Sequence, residues 1–331
     1  MTQPTKTTPG KLLETLLIEW QKAIIGKPET LRLVMINLLC RGHLLLEDLP
    51  GLGKTTLAKA LARSLDLTFK RIQCTPDLLP ADITGISIFD QKSQAFRFLP
   101  GPVFTHILLA DEINRTSPRT QSALLEAMAE RTVTVDRKTR KLPAAFMVIA
   151  TQNPIEFSGT FPLPEAQIDR FFMRISLGYP QPDEEARIMQ MNQQENPFEN
   201  IKQVIDEKRL LSLQQAVTQV RLDQKVIDYI AALIHATRSH KKIRLGVSPR
   251  GSIALMKASQ ASALLNNESY VTPHRIQELV VPVLAHRMLM RSNSDSNEQI
   301  LSQIIETTPV PAMPGGARSK RKSEPTLDLV D

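Results

Sequence analysis

The stretch Leu44-Leu45-Leu46-Glu47-Asp48-Leu49-Pro50-Gly51-Leu52-Gly53-Lys54-Thr55-Thr56 decides the fold. An apolar burst runs into a glycine turn, a Lys-Thr pair and then a helical stripe of Leu57, Leu61 and Leu65 backed by Ala58 and Ala62. Backbone N–H groups converge on phosphate oxygens only where no Cβ intervenes, and a helix N-terminus adds partial positive charge. Gly51 and Gly53 supply such a nest, with Pro50, Leu52 and Thr56 completing the loop. Lys54 is placed to set its ammonium on the β- and γ-phosphates of a triphosphate, and the Thr55 hydroxyl to fill one position in the octahedral shell of Mg²⁺. One position departs from the general phosphate-loop pattern: Asp48 stands where that pattern has its first glycine.

Two further bursts end in polar residues. Ile107-Leu108-Leu109-Ala110 stops at Asp111-Glu112, which puts two carboxylates at the carboxyl edge of a parallel sheet, where such sheets bind ligands. Asp111 is expected to serve the magnesium ion and Glu112 to orient and deprotonate the attacking water. Phe146-Met147-Val148-Ile149-Ala150-Thr151 ends in Gln152-Asn153-Pro154, and the Asn153 amide is the candidate to sense a γ-phosphate.

His43 to Glu47, Phe69 to Cys74, Ile107 to Ala110, Phe146 to Thr151 and Phe172 to Leu177 are strand-like and alternate with helical patterns, so a mostly parallel sheet covered on both faces is expected over residues 11–180. Within it, Ile86 and Ile88, then Phe96 and Phe98, alternate with polar residues and predict an inserted hairpin at about 82–100. After Pro180 the pattern turns helical, giving a smaller domain over 181–305. There Asp223 to His240 carries the stripe Val226, Ile227, Ile230, Leu233, Ile234 and Thr237, and Ser248-Pro249 and Thr272-Pro273 open two more helices. Residues 1–10, and the Pro-rich, basic residues 306–331, are expected to be flexible tails.

Composition bounds the remaining classes. The 331 residues carry 41 basic and 34 acidic side chains, a net +7, but the charges interleave along the chain. Aromatic residues make up only 5%, which argues against base-stacking platforms. Cys40 and Cys74 are too few for a disulfide framework and are expected to be ordinary buried thiols; the six scattered histidines make no zinc pattern. No apolar run approaches the roughly eighteen residues that cross a bilayer. Glu14 and Glu19 interrupt the first leucine-rich stretch, so no export signal is visible and the cytoplasm is the expected compartment.

Taken together, these motifs resemble those of the AAA+ ATPases, with the phosphate loop as Walker A and Asp111-Glu112 as Walker B. The string Ala150-Thr151-Gln152-Asn153-Pro154 through Pro162-Leu163-Pro164-Glu165-Ala166-Gln167-Ile168-Asp169-Arg170-Phe171 is similar to the MoxR family in particular. The Glu47 to Thr55 segment is also similar to that family's loop, so Asp48 departs from the general pattern and not from the family's. The resemblance implies an α/β fold, a P-loop NTPase αβα core followed by an all-helical lid, with ATP and Mg²⁺ bound between subunits of a homo-oligomeric, usually hexameric, ring. Arg170 sits where the family has an arginine finger acting on the neighbour's γ-phosphate, with Arg115 as a second candidate; a link to Glu165 or Asp169 is the plain alternative for Arg170. Arg250 matches the sensor-2 arginine, in cis or in trans, and Ile25-Gly26 the segment bordering adenine. The hairpin resembles the helix-2 insertion, which either faces the ring pore or packs on its own domain. Chaperone-like maturation of protein clients is implied, including proteins with a von Willebrand factor A domain. A nucleic-acid motor of helicase or clamp-loader type is the rival reading; a GTPase would need an Asn-Lys pair, and the chain has none.

Overall fold

The computed structural model describes residues 8–153, 159–194, 200–292 and 295–312. They fall into two compact units, one within residues 17–210 and one within residues 8–16 and 211–312.

The first unit is built on a parallel sheet. Its elements begin with the last turns of α1 (Pro9–Gln21), then α2 (Pro28–Leu39), β1 (Leu44–Glu47), α3 (Lys54–Ser64), β2 (Phe69–Gln73), α4 (Pro80–Thr84), β3 (Gly85–Asp90) and β4 (Ala95–Pro100). There follow β5 (Ile107–Asp111), α5 (Pro118–Glu130), β6 (Thr132–Val135), β7 (Lys138–Lys141), β8 (Met147–Gln152), α6 (Glu165–Ile168), β9 (Met173–Ile175) and α7 (Pro182–Gln194). Five strands hydrogen-bond in the order β2-β5-β8-β1-β9, every pair parallel. The central strands are buried along almost their whole length, which is why they read as unbroken apolar bursts. One face is closed by α5, whose Leu124, Leu125 and Met128 pack with Leu108, Val148 and Phe146. The expected stripe of α3 is borne out, with Leu57, Ala58, Leu61 and Leu65 fully buried. Register aligns Leu46 with Thr151 and Ala110 with Ala150, so β1, β5 and β8 end together at one edge.

The expected hairpin is present as antiparallel β3 and β4. A second hairpin, β6–β7, escapes the sequence reading because its two turn residues, Asp136 and Arg137, take φ of 52° and 61° without the usual glycine signal.

The second unit holds the end of α8 (Glu207–Val217), α9 (Gln224–Ser239), α10 (Pro249–Leu265), α11 (Pro273–Leu284) and α12 (Asn297–Thr307). Ser248-Pro249 and Thr272-Pro273 open α10 and α11 as expected. Ala254, Ala258 and Ala261 on α10 are small enough for α11 to approach closely, and Ile276, Leu279 and Val283 fill the contact side.

Three expectations differ from what is found. The division falls at 210 and not at 180, because 181–210 is laced to the sheet unit: Lys202 N donates to Glu19 Oε2 at 3.0 Å, Val204 N to the Ser64 carbonyl at 2.8 Å, and Glu184 lies against Gly26. Helices reach into both expected tails, α1 starting at Pro9 and α12 ending at Thr307, while 1–7 and 313–331 lie outside the described residues. On α9 Ile227 is 39% exposed and Tyr229 is buried in its place, and the helices are joined by a short antiparallel pair, Ile243–Leu245 with Leu289–Met290.

Candidate functional site

At the common edge of β1, β5 and β8 lies a cavity of about 310 Å³. It is lined by Asp48, Pro50, Gly51, Gly53, Lys54, Thr55, Thr56, Arg71, Gln73, Asp111, Glu112, Thr151 and Asn153. The expected loop residues therefore meet the expected carboxylates and Asn153, which lie far along the chain from them. Leu52 is half-buried and is not among the lining residues.

The loop takes its shape from its glycines. Gly51 and Gly53 adopt φ of 85° and 86°, in the left-handed region that a Cβ disfavours, and α3 starts at the next residue with its N–H groups unspent. The Lys54 ammonium donates to the carbonyls of Asp48 and Leu49 at 2.8 and 2.9 Å. Partial burial pulls the Lys54 pKa below the usual lysine range, opposed by the charges of Asp48, Asp111 and Glu112.

Asp48, the departure from the general pattern, has a structural task. Its buried carboxylate accepts from Ser176 Oγ at 2.6 Å, Leu177 N at 2.8 Å and Gly178 N at 3.0 Å. The start of the phosphate loop is thereby tied to the segment leaving β9.

The carboxylate pair is held by neighbours that sequence reasoning passed over. Asp111, 6% exposed, accepts from Arg71 Nε at 2.6 Å and from Thr151 Oγ1 at 3.2 Å. Glu112 sits in a left-handed conformation, φ 57° and ψ 52°, with its N–H donated to Thr151 Oγ1 at 2.8 Å. Its Oε2 accepts from Gln73 Nε2 at 2.8 Å and from Arg115 Nη1 at 3.1 Å. Arg71, Gln73 and Thr151 were findable: they are the polar residues at strand tips beside the acidic one, a signal weaker than the motif itself. Beneath them Cys74 is fully buried, and its thiol is pushed up to about 12, first by burial and then by the two carboxylates. Cys40 is half-buried, against expectation.

The other predicted residues fall elsewhere. Arg170 lines a separate cavity of about 470 Å³ with Ser122, Leu125, Glu126, Glu130 and Gln167, and donates to the Leu125 carbonyl at 2.7 Å. Arg250 belongs to the second unit, exposed in the first turn of α10. Ile25 is buried and Gly26 has φ 71°; Ile24, beside them, comes within 3.9 Å of where a Cβ on Gly53 would stand. Among the described residues no cluster of His, Cys, Asp and Glu could hold a metal by itself, and no helix is long and apolar enough to cross a membrane. His43 is a core residue, as the scattered pattern predicts: Val148 N donates to its Nδ1 at 2.9 Å, and its Nε2 lies 3.0 Å from the Met128 carbonyl.

Fold and cavity together define a P-loop ATPase core with an AAA-type lid. The family described as "ATPase family associated with various cellular activities (AAA)" matches residues 43–173, and the AAA lid domain matches residues 235–305. YeaC of Bacillus subtilis is 46% identical, covering 93% of this chain and 97% of its own. Chaperone MoxR1 of Mycobacterium tuberculosis is 37% identical over 90% of this chain and 82% of its own. A crystal structure of a protein from Cytophaga hutchinsonii superimposes with a TM-score of 0.86 at 35% identity, covering 92% of this chain and 96% of that one. The chain belongs to the MoxR family of AAA+ ATPases.

Proposed function

We propose that this protein is a Mg²⁺-dependent ATP hydrolase that couples nucleotide turnover to chaperone-like remodelling of partner proteins. One observation carries the reading: Lys54, Thr55, Asp111, Glu112 and Asn153 converge on a single cavity at the sheet edge. The Gly51–Gly53 turn and the start of α3 offer backbone N–H groups to a triphosphate, and Lys54 turns from the carbonyls of Asp48 and Leu49 to its outer phosphates. Thr55 and Asp111 present hard oxygen donors to a polar cavity, the set an octahedral Mg²⁺ takes. Bound there, that ion supplies charge neutralisation on the phosphate oxygens. Glu112, released from Gln73 and Arg115, takes a proton from the lytic water, and Asn153 orients that water against the γ-phosphate.

Arg170 lies in a different cavity from these residues, which suits a finger offered to the next subunit of a hexameric ring and not to its own nucleotide. Arg250, in the first turn of α10, keeps the role of the family's sensor-2 arginine, in cis or in trans, and Ile25-Gly26 would border the adenine. The family membership and the name of the mycobacterial relative support the chaperone role, and a von Willebrand factor A domain protein is the class of partner proposed. On β3–β4, Phe96 is 76% exposed and Phe89 49%, an apolar tip suited to gripping a client. A nucleic-acid motor is the second reading, favoured by the net charge of +7, the β3–β4 hairpin and the basic residues Arg137, Lys138 and Lys141 about the β6–β7 turn; hydrolysis stimulated by DNA or RNA at low salt would support it.

Glu112→Gln tests the reading. It should leave ATP affinity in calorimetry within a few-fold of wild type and lower turnover by about 10²–10⁴. Turnover close to wild type would remove Glu112 as the base.

A further inference from the structure

Resting on the nucleotide reading, a second role emerges at the same edge. Asp111 is one of three acidic residues lining the cavity, and its side chain is 9% exposed while that of Arg71 is 51% exposed. A carboxylate that deep needs a positive partner at all times, whereas a guanidinium half in water gives up its contact cheaply. Lys54 favours the Asp111 charge from a distance, but its ammonium donates to two loop carbonyls, and it is Arg71 that bonds the carboxylate.

Register explains why the partner is an arginine on β2. Gln73 stands directly across from Asp111 and Arg71 across from Leu109, so the Arg71 side chain must run forward by one strand repeat to reach the carboxylate. Its fork then makes two contacts: Nε donates to Asp111 Oδ2 at 2.6 Å and Nη2 to Gln73 Oε1 at 3.2 Å. Gln73 passes the link on, its Nε2 donating to Glu112 Oε2 at 2.8 Å. The planar guanidinium fixes both contacts in one geometry, which an ammonium on a flexible stem does not.

We propose that Arg71 is a built-in counter-ion for Asp111, occupying the electrostatic place of the divalent cation and yielding it when metal and nucleotide bind. Metal entry displaces the guanidinium, and the loss of its hold on Gln73 loosens Glu112 in the same event. Until the metal binds, the Asp111 charge is thus balanced by a side chain of the neighbouring strand.

The test is Mn²⁺ binding to the full chain at saturating ADP, read from the electron-spin-resonance signal of free Mn²⁺. Arg71→Ala and the bulkier Arg71→Gln should each tighten Mn²⁺ about five-fold, with Arg71→Lys in between. Without ligands, the Arg71→Gln protein should melt below wild type, and Mn²⁺ with ADP should close the gap. Unchanged or weaker Mn²⁺ affinity in both neutral variants, with ADP affinity intact, overturns the counter-ion role alone. Failure of the wild type to bind ADP and Mn²⁺ overturns the nucleotide reading and this proposal with it.

Discussion

Replacing Asp48 by glycine restores the residue that the general phosphate-loop pattern has there, and the structure says that the protein would suffer for it. Three donors converge on that carboxylate: Ser176 Oγ, Leu177 N and Gly178 N. Ser176 is exposed, so its hydroxyl turns to water at little cost. Leu177 is buried, and stranding its N–H costs about 1–3 kcal/mol. Gly178 is half-buried and loses a charge-assisted bond worth about 1 kcal/mol more, so Asp48→Ala should destabilise by about 3 kcal/mol. Asp48→Gly adds the conformational freedom of glycine, about another 0.5–1 kcal/mol. Asp48→Asn keeps one acceptor and should cost about 1–2 kcal/mol. Urea denaturation of the ligand-free protein measures all three, and binding of a fluorescent ADP analogue should weaken in the same order as the loop loses its anchor. If Asp48→Gly unfolds within about 0.5 kcal/mol of wild type, the anchoring argument is wrong.

Three further outcomes are expected. Mixing Arg170→Ala with Glu112→Gln subunits should restore ATP hydrolysis that neither shows alone, because a mixed ring forms complete interfaces; no recovery in confirmed rings rules out a finger acting in trans. His43 is held at about 3 instead of 6.5 by burial and by the charge of Arg131, so between these values the unfolded chain binds the proton and the folded one does not. Stability is therefore lost as the pH is lowered below about 6.5, by about 2 kcal/mol at pH 5, and His43→Gln should flatten that part of the pH dependence of urea unfolding. Phe96→Ser, at a 76% exposed site, should leave the melting temperature nearly unchanged; a loss above about 0.5 kcal/mol would show that the ring is packed and not presented to a partner.

The central strands β1, β5 and β8 were legible because a strand buried on both faces must be apolar throughout, and an abrupt polar end is the signature of a ligand edge. The carboxylate pair and Asn153 are legible for the same reason, and the loop from its Gly51-Leu52-Gly53-Lys54-Thr55 motif. The β6–β7 hairpin was not legible, since a two-residue turn built from Asp136 and Arg137 carries no glycine to announce it. Nor was the division at 210, because backbone bonds from Lys202 and Val204 to distant residues leave no pattern in local composition.

The amino-acid order by itself determined the layer architecture and the chemistry available at the sheet edge, since both follow from local periodicity and from short motifs. Tertiary structure alone decided which side chains hold those groups. Asp48 became an anchor only when β9 was laid beside β1, and Arg71 became the partner of Asp111 only when β2 paired with β5 in one register. Those contacts join residues forty to a hundred and thirty positions apart, and their energies depend on burial and distance, which no local window of sequence contains.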